Sequence, residues 1–446
     1  MMNMAKKIGF ISLGCPKNQV DSELMLKKLA DAGYEIIDTP IGADAVIINT
    51  CGFIEAAKQE SIDNIFEMAG YKEDGDVGKI IVVGCMAERY REEILKEMPE
   101  VDAVAGIGAN GDIVSFVDSV FEGKENMLFP EKEKLPLCGE RLLTTPSYRA
   151  YLKIADGCSN CCTYCAIPKI RGPQRSRPIE SIVEEAKRLA SDGVKELTVI
   201  AQDTTRYGDD IYGEPKLDEL LKQLDVIDGI EWIRLLYCYP DRLTDSVLET
   251  MRDSKHVLHY IDLPLQHANG RILKAMNRRG DSASLLALIG KIRDYMPDCV
   301  IRTTFMTGFP GEDDEAFNEL SEFVNAARFD RLGCFAFSPE EGTAAADMTE
   351  RPEKEVAEHR GEVIMDQQYK IFCEKQEELI GERVRCIVED YDGYTDVYSG
   401  RTWRDAPKID SGIFIISQRE LDIGDFVDVE ITDTKDYDLI GEVSDR

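Results

Sequence analysis

The stretch Gly157-Cys158-Ser159-Asn160-Cys161-Cys162-Thr163-Tyr164-Cys165 decides both the fold and the chemistry of this chain. It comes directly after a β-rich run at residues 151–155, which predicts a strand. Cys158, Cys162 and Cys165 have the spacing C-x3-C-x2-C. Three cysteines at this spacing can bind three irons of a four-iron cluster and leave the fourth iron open. We therefore expect a cluster here whose open iron can bind a substrate or cofactor.

Cys161 supports an alternative in which the same stretch binds zinc. Cys158 with Cys161, and Cys162 with Cys165, form two C-x2-C pairs of the kind that hold a tetrahedral zinc ion. Such sites usually separate their two pairs by a loop, whereas Cys161 and Cys162 are adjacent. The spacing favours the cluster, and a non-catalytic zinc-binding adaptor remains the alternative of another class.

The sequence after this stretch alternates β-rich runs with amphipathic helical segments, which predicts an α/β domain. Six repeats of a strand and a helix predict a partial (β/α)6 barrel, shorter than the eight-unit form. The predicted strands are residues 151–155, 196–201, 232–237, 259–263, 300–305 and 332–337.

Three further cysteines follow three predicted strands near the N-terminus. Cys15, Cys51 and Cys85 each come after a short apolar run and before a helical segment, a pattern typical of a Rossmann-like parallel sheet. Ligands bind beyond the carboxyl ends of parallel strands, so the three thiols can converge. The alternative is three small buried side chains, because free cysteine is often buried. Their equivalent positions in successive units favour a metal or cluster site.

The C-terminal part of the chain is predicted to be a small, acidic β-barrel. A long polar helix at residues 353–379 leads into four short β-rich runs. Residues 377–446 contain 19 acidic and 8 basic side chains, a net charge of −11.

The composition of the whole chain excludes several classes of protein. Its 85 acidic and 53 basic residues give a formal charge of −32, which argues against binding nucleic acid mainly through phosphates and favours basic partners. No apolar run approaches the ~18 residues that cross a bilayer. The apolar stretch near the N-terminus is too short for a signal peptide. With 13 cysteines and no export signal, we expect a cytoplasmic protein with metal or redox chemistry.

The cysteine stretch, with Tyr164 as the aromatic residue of C-x3-C-x-aromatic-C, resembles the cluster loop of the radical S-adenosylmethionine (SAM) superfamily. The resemblance implies that Cys158, Cys162 and Cys165 hold a 4Fe-4S cluster that binds SAM and takes part in catalysis. Cleavage of SAM would then give a 5'-deoxyadenosyl radical, which removes hydrogen from unactivated carbon.

The likeness extends over essentially the whole chain. Gly14-Cys15-Pro16-Lys17-Asn18, Asn49-Thr50-Cys51 and Gly84-Cys85-Met86 are similar to segments of the methylthiotransferases. This implies that Cys15, Cys51 and Cys85 hold a second 4Fe-4S cluster involved in supplying sulfur. The implied reaction replaces C–H by C–S–CH3, with one SAM donating methyl and another generating the radical.

The same likeness divides the chain into three domains. The expected boundaries are 1–145 for the N-terminal methylthiotransferase domain, 146–375 for the radical SAM core and 376–446 for a TRAM β-barrel.

Two branches of the family differ in substrate. Ser12-Leu-Gly-Cys-Pro-Lys-Asn18, Tyr260-Ile-Asp-Leu-Pro-Leu-Gln-His267 and Asp405-Ala-Pro-Lys-Ile-Asp410 resemble the protein-modifying, RimO-type branch. That branch acts on the β-carbon of an aspartate in small-subunit ribosomal protein twelve; the alternative is methylthiolation of a tRNA adenosine.

The acidic tail would repel phosphates and could dock a basic ribosomal protein, free or in the ribosome, although it could also simply solvate a surface. The family further implies a monomer and an electron donor such as flavodoxin or ferredoxin.

Other residues near the predicted strand ends are candidates for binding the cofactor. Gln202 and Asp203 follow the second core strand and could reach the nucleoside, or could cap a loop. Gly308, together with Tyr164, is assigned to the cofactor by resemblance, since residues 308–312 are similar to a SAM-binding glycine segment. The basic segment Arg171–Arg177 either completes this side of the barrel or is a loop with solvated arginines.

Overall fold

A computed structural model describes residues 5–444 of the chain. Within these residues, no helix is long and apolar enough to cross a membrane. Three bodies of regular structure follow one another along the chain: a parallel sheet, a second parallel sheet and a closed barrel.

The N-terminal body is a six-stranded parallel sheet with the strand order β2-β1-β3-β4-β5-β6. Residues of β3 and β4 are all buried, as expected for central strands covered by helices on both faces. The Rossmann-like prediction is confirmed. The strands are β1 (Lys7–Ser12), β2 (Glu35–Ile37), β3 (Ala45–Thr50), β4 (Ile80–Gly84), β5 (Ala103–Ala105) and β6 (Met127–Leu128). The helices are α1 (Pro16–Asp31), α2 (Glu55–Glu73), α3 (Cys85–Tyr90), α4 (Glu92–Glu97) and α5 (Ile113–Phe121).

The helix after β4 differs from the single helix that the apolar pattern predicts at residues 87–96. Arg91 has a positive φ of 45°, which separates α3 from α4. Cys85 is the first residue of α3 and is not in a preceding loop. Its thiol is therefore fixed to a helix end.

The central body is a second six-stranded parallel sheet, with the order β14-β13-β12-β11-β10-β7. This is the partial barrel of six strands that the sequence predicts. The strands are β7 (Arg149–Lys153), β8 (Ala155–Asp156), β9 (Arg175–Ser176), β10 (Glu196–Ile200), β11 (Trp232–Leu235), β12 (Val257–Asp262), β13 (Val300–Thr307) and β14 (Arg331–Ala336), of which β8 and β9 form a separate pair. The helices are α6 (Ile167–Arg171), α7 (Ile179–Ser191), α8 (Asp209–Tyr212), α9 (Leu217–Leu224), α10 (Asp245–Asp253), α11 (Gly270–Ala275), α12 (Ser282–Tyr295), α13 (Asp314–Ala327) and α14 (Lys354–Glu377).

The C-terminal body is a closed five-stranded barrel. The sequence analysis predicts four of its strands and misses the last, whose short run contains glycine and charged residues. The strands are β15 (Arg383–Asp392), β16 (Val397–Thr402), β17 (Ile413–Ile416), β18 (Phe426–Lys435) and β19 (Asp438–Val443). The predicted domain boundaries after residues 145 and 375 stay predictions.

Buried ion pairs join the N-terminal sheet to the core. Arg171 lies 3.0 Å from Asp21 of α1 and 2.7 Å from Asp156 of β8. Lys153 pairs with both of these carboxylates as well. All four side chains are at most 1% exposed. The two bodies are therefore held in one fixed arrangement by charges that have no access to water.

A second buried cluster joins the barrel to the amino ends of the core strands. Glu196, the first residue of β10, lies 3.1 Å from Arg234 of β11 and 2.5 Å from Arg401 of β16. Trp232 packs edge-on against Phe426 of β18 with ring centroids 4.7 Å apart. The barrel thus covers the end of the core that lies opposite the carboxyl ends of its strands.

We predict that Glu196→Gln lowers the free energy of unfolding by about 3–5 kcal/mol at pH 7, because it removes the carboxylate that pairs with the buried Arg234 and leaves Arg401 paired with Glu389 alone. The two tryptophans of the chain, Trp232 and Trp403, both lie at this junction, so their fluorescence during denaturant titration reports its loss. Glu389→Gln is the matched control, since Glu389 also pairs with Arg401 but is 25% exposed. An equal decrease in the free energy of unfolding for the two variants would contradict the prediction that the buried carboxylate contributes more than the partly exposed one.

The ion pairs of Glu196 also predict that the stability of the protein depends on pH. Burial opposes ionisation of Glu196, but Arg401 and Arg234 together lower its pKa from the ordinary 4.5 to about 2. A lowered folded-state pKa stabilises the protein above pH 4.5, and that stabilisation is lost as the pH falls toward 2. The stability difference between the wild type and Glu196→Gln should therefore shrink across this range.

Candidate active site

A single cavity of about 300 Å³ collects the cysteines of both predicted sets. It lies where the carboxyl ends of the strands in the two parallel sheets face each other, the place where such sheets bind ligands. The thiols of the two sets that line it are Cys15, Cys51, Cys85, Cys158, Cys162 and Cys165. A seventh thiol, the buried Cys238, also lines the cavity and lies 3.8 Å from the Thr204 hydroxyl. All 13 cysteines of the chain are free.

The core set lies on the loop between β8 and α6. Burial raises the pKa of Cys158 to about 11 and that of Cys165 to about 12, and nearby thiols add to the effect on Cys165. Because metal binding requires thiolates, loading this loop would release protons. Cys162 faces two further side chains, with its sulfur 3.9 Å from the Tyr239 hydroxyl and 3.9 Å from a guanidinium nitrogen of Arg278.

Cys161 is separated from the other three thiols of this loop. Its backbone has a positive φ of 51°, its side chain is exposed, and it does not line the cavity. Its carbonyl oxygen accepts a hydrogen bond from the Asn277 side chain at 3.0 Å. Within residues 5–444, no three His, Cys, Asp or Glu side chains are arranged to hold a single metal ion. The tetrahedral zinc arrangement of Cys158, Cys161, Cys162 and Cys165 is therefore not favoured.

The N-terminal set comes from three neighbouring strand ends. Cys15 precedes α1, Cys51 follows β3 and Cys85 begins α3. Gly14 has φ of +83°, and a Cβ added there would lie 2.6 Å from the Cβ of Cys51. Glycine at this position therefore allows the loops that carry Cys15 and Cys51 to meet.

Two cations lie among these N-terminal thiols. Burial would raise the pKa of Cys15, but Lys17 and Arg171 together lower it below its ordinary value. Arg171 also lies 3.4 Å from the sulfur of Cys85, whose pKa burial raises to about 12. Positive charge beside thiols favours the thiolate form that binds metal.

The donor set fits two iron–sulfur clusters better than single metal ions. Each of three irons in such a cluster takes one thiolate, so the three cysteines of a set need not converge on one point. The two sets line one cavity, and cations or hydroxyls lie next to several of their sulfurs. The residues therefore fit the groups that the sequence predicts.

Several residues of the cavity are missed by the sequence analysis. Lys17 lies in a quoted motif, and its ammonium is 3.2 Å from the centre of the Tyr237 ring. Tyr237 and Gln266 have positive φ values of 61° and 72° and also line the cavity. Arg278 stacks over Tyr239 at 4.3 Å and lies 3.5 Å from the Tyr164 hydroxyl. Lys17 and Gln266 both lie in quoted motifs, whereas Tyr237, Tyr239 and Arg278 come from segments without a recognisable spacing.

The predicted cofactor residues have different environments. Gln202 lines the cavity, and Tyr164 lines both it and an adjoining cavity of about 990 Å³. Asp203 accepts hydrogen bonds from Asn160 at 2.6 Å and from the Thr205 N–H at 3.0 Å, so it caps the turn after β10. Gly308 lines the larger cavity, with φ of +72°, and a Cβ there would lie 2.2 Å from the Cβ of Ala357. Cofactor binding by these four residues stays a prediction.

Two of the three arginines of the basic segment are buried, and the third, Arg175, is partly buried. Arg171 and Arg177 are 1% and 2% exposed, and Arg177 pairs with Glu185 at 2.6 Å. The interpretation of this segment as a solvated loop is therefore wrong. Its arginines bind carboxylates and carbonyls between elements of the core.

Three family profiles match successive parts of the chain. Residues 7–106 match the uncharacterized protein family UPF0004, residues 152–324 match the radical SAM superfamily, and residues 380–443 match the TRAM domain. A solved structure of the radical SAM methyltransferase TsrM from Kitasatospora setae is similar in fold, with a TM-score of 0.57 and 12% identity over 75% of each chain.

Curated relatives cover nearly the full length of the chain. The ribosomal protein uS12 methylthiotransferase RimO of Desulforamulus reducens is 49% identical over 98% of this chain and 99% of its own length. Proteins of the same name from Lachnoclostridium phytofermentans and Clostridioides difficile are 47% and 45% identical, each over 98% of this chain and over 99% and 98% of their own lengths. The family resemblance of the sequence is confirmed, and the chain belongs to the RimO family of radical SAM methylthiotransferases.

Proposed function

We propose that this chain replaces a C–H bond by C–S–CH3 at the β-carbon of an aspartate in ribosomal protein uS12. The observation that carries the proposal is the single cavity lined by both cysteine sets. A reaction that joins sulfur to a carbon radical needs the radical source and the sulfur source at the same place. Two sets of three thiols facing one cavity meet that requirement.

Membership of the radical SAM superfamily implies one 4Fe-4S cluster and SAM. We assign this cluster to Cys158, Cys162 and Cys165, and a second cluster to Cys15, Cys51 and Cys85. When bound, these groups supply a 5'-deoxyadenosyl radical and a sulfur atom, and a second SAM supplies the methyl group.

The protein's own residues would position these groups and exclude water. Lys17 and Arg171 supply positive charge beside the N-terminal thiols. Arg278 and Tyr239 lie beside Cys162 of the core set. The buried pairs of Asp21 with Lys153 and Arg171 keep the two sets facing each other.

The remaining parts of the proposal concern partners. A tail of net charge −11 would attract a basic ribosomal protein and repel RNA. We further propose a monomer that acts in the cytoplasm on the free protein or the ribosome, with an electron donor such as flavodoxin or ferredoxin.

The cluster assignment predicts different effects for adjacent cysteines. Anaerobically reconstituted wild-type protein should contain about eight irons per chain, because each set holds a four-iron cluster. Cys162→Ala should lose about half of this iron and all deoxyadenosine formation. Cys161→Ala, the matched control with an exposed thiol, should keep both. Iron loss in Cys161→Ala equal to that in Cys162→Ala would contradict the assignment.

The substrate assignment predicts a mass change in one peptide. Reconstituted protein incubated with SAM, a reductant, a sulfide source and ribosomal protein uS12 should yield an aspartyl peptide heavier by one SCH2 unit. Fragmentation should place the added mass on the aspartate side chain. Deoxyadenosine formed without this peptide, together with methylthioadenosine appearing in added tRNA, would contradict the substrate and leave the radical chemistry in place.

A further inference from the structure

The two edges of the core sheet differ in how their backbone groups are satisfied. At the β7 edge, the outward carbonyl oxygens belong to Arg149, Tyr151 and Lys153. They accept hydrogen bonds from Thr145 at 2.6 Å, from Arg141 at 3.0 Å and from Arg177 at 2.8 Å. An edge covered in this way cannot pair with another strand.

The β14 edge has no such cover. The Phe337 N–H donates to the Thr307 carbonyl, and the Gln266 N–H donates to the Thr304 carbonyl, both at 2.8 Å. Successive carbonyls of β13 therefore face β14 and β12 in alternation. Because Phe337 points its N–H toward β13, every second residue before it does so too, and the residues between them, Leu332, Cys334 and Ala336, point their N–H and C=O groups away from the sheet. Among the residues that the structure describes, none makes a hydrogen bond to these outward groups.

A groove runs beside this open edge. A cavity of about 500 Å³ lies along the first half of β14, between α14 and the barrel. Tyr369 and Phe372 of α14 line it and pack against Tyr437 of the barrel, with ring centroids 5.1 Å and 5.2 Å apart, and Ile409 of the barrel lines it as well. Three of these apolar or aromatic side chains, those of Tyr369, Ile409 and Tyr437, are exposed.

The groove is continuous with the active site. Phe335, which is 61% exposed, lines both this groove and the cavity of about 990 Å³. The larger cavity shares Tyr164 and Gln266 with the cavity of the six cysteines. β14 therefore runs from the barrel, at the amino ends of the core strands, to the cysteines at the carboxyl ends, over about 20 Å for six residues.

The charges along this path suit a basic chain. Arg302 and Arg331, the arginines of the groove, pair with Asp262 and Asp405 and so are neutralised. α14 exposes six carboxylates against two ammonium groups: Glu355, Glu358, Glu362, Asp366, Glu374 and Glu377 against Lys354 and Lys370. A cationic peptide would meet no free positive charge among these groove residues.

We propose that β14 is the docking strand for the substrate protein: an extended segment of basic ribosomal protein pairs with its open edge, packs an apolar side chain against Phe335, and so leads the target aspartate into the cavity of the cysteines. This inference rests on the proposed function. Backbone pairing supplies affinity for an extended segment of any sequence, and the groove supplies specificity because only some side chains fit it.

Hydrogen exchange on the full, anaerobically reconstituted chain tests the pairing directly. Addition of ribosomal protein uS12 should slow exchange of the amides of Leu332, Cys334 and Ala336, which face outward in the free protein. The amides of β2, the edge strand of the N-terminal sheet, should exchange at an unchanged rate and serve as the internal control. Unchanged exchange in β14 under conditions in which uS12 becomes methylthiolated would overturn the inference and leave the proposed function intact.

A pair of variants tests the same contact by affinity. Ala336→Pro removes one outward N–H at an edge position where proline is tolerated, whereas Ala336→Ser keeps it. We expect uS12 to bind Ala336→Pro about tenfold more weakly than Ala336→Ser, the effect of one or two lost hydrogen bonds, with equal iron in both variants. Equal affinities would overturn the docking mode, as would protection of β14 by tRNA and not by uS12. Absence of any uS12 binding or modification in the wild type would instead overturn the proposed function.

Discussion

The buried ion pairs among Asp21, Lys153, Asp156 and Arg171 are the interaction on which the rest of the molecule depends. Two sheets, each with its cysteines at the carboxyl ends of its strands, form one site only if those ends face each other at a fixed distance. Apolar contact alone allows sliding, whereas charges without access to water demand one arrangement, because separating them leaves an unpaired buried ion. Arg171 links this requirement to the chemistry, since the same guanidinium reaches the sulfur of Cys85.

Sequence patterns predicted the parts of the molecule that depend on local periodicity or spacing. The central strands of the N-terminal sheet are apolar runs because helices cover both faces, and the core cysteines have a spacing that specifies their loop. The last strand, β19, was missed because a short run with glycine and acidic residues has no clear alternation. The break between α3 and α4 was missed because only the positive φ of Arg91 reveals it.

The environment of the thiols could not be predicted in the same way, because it depends on residues far apart in the chain. Tyr239 and Arg278 reach Cys162 from two different loops, and no spacing connects either residue to the cysteine stretch. The basic segment after α6 was open to two interpretations for the same reason. Arg171 and Arg177 are buried because carboxylates of α1 and α7 face them, and a single sequence does not reveal such contacts.

The cavity of the cysteines is enclosed by two separate bodies and not by a lid within one of them. Cys51 and Cys85 are buried and the other four thiols are partly exposed, so any separation of these bodies would expose both sets further in a single event. Protection of the site from oxygen then depends in part on the junction, and so on how rarely Lys153 and Arg171 leave their carboxylates. Lys153 and Arg171, which hold the two bodies together, would in this way influence how quickly the thiols are oxidised in air.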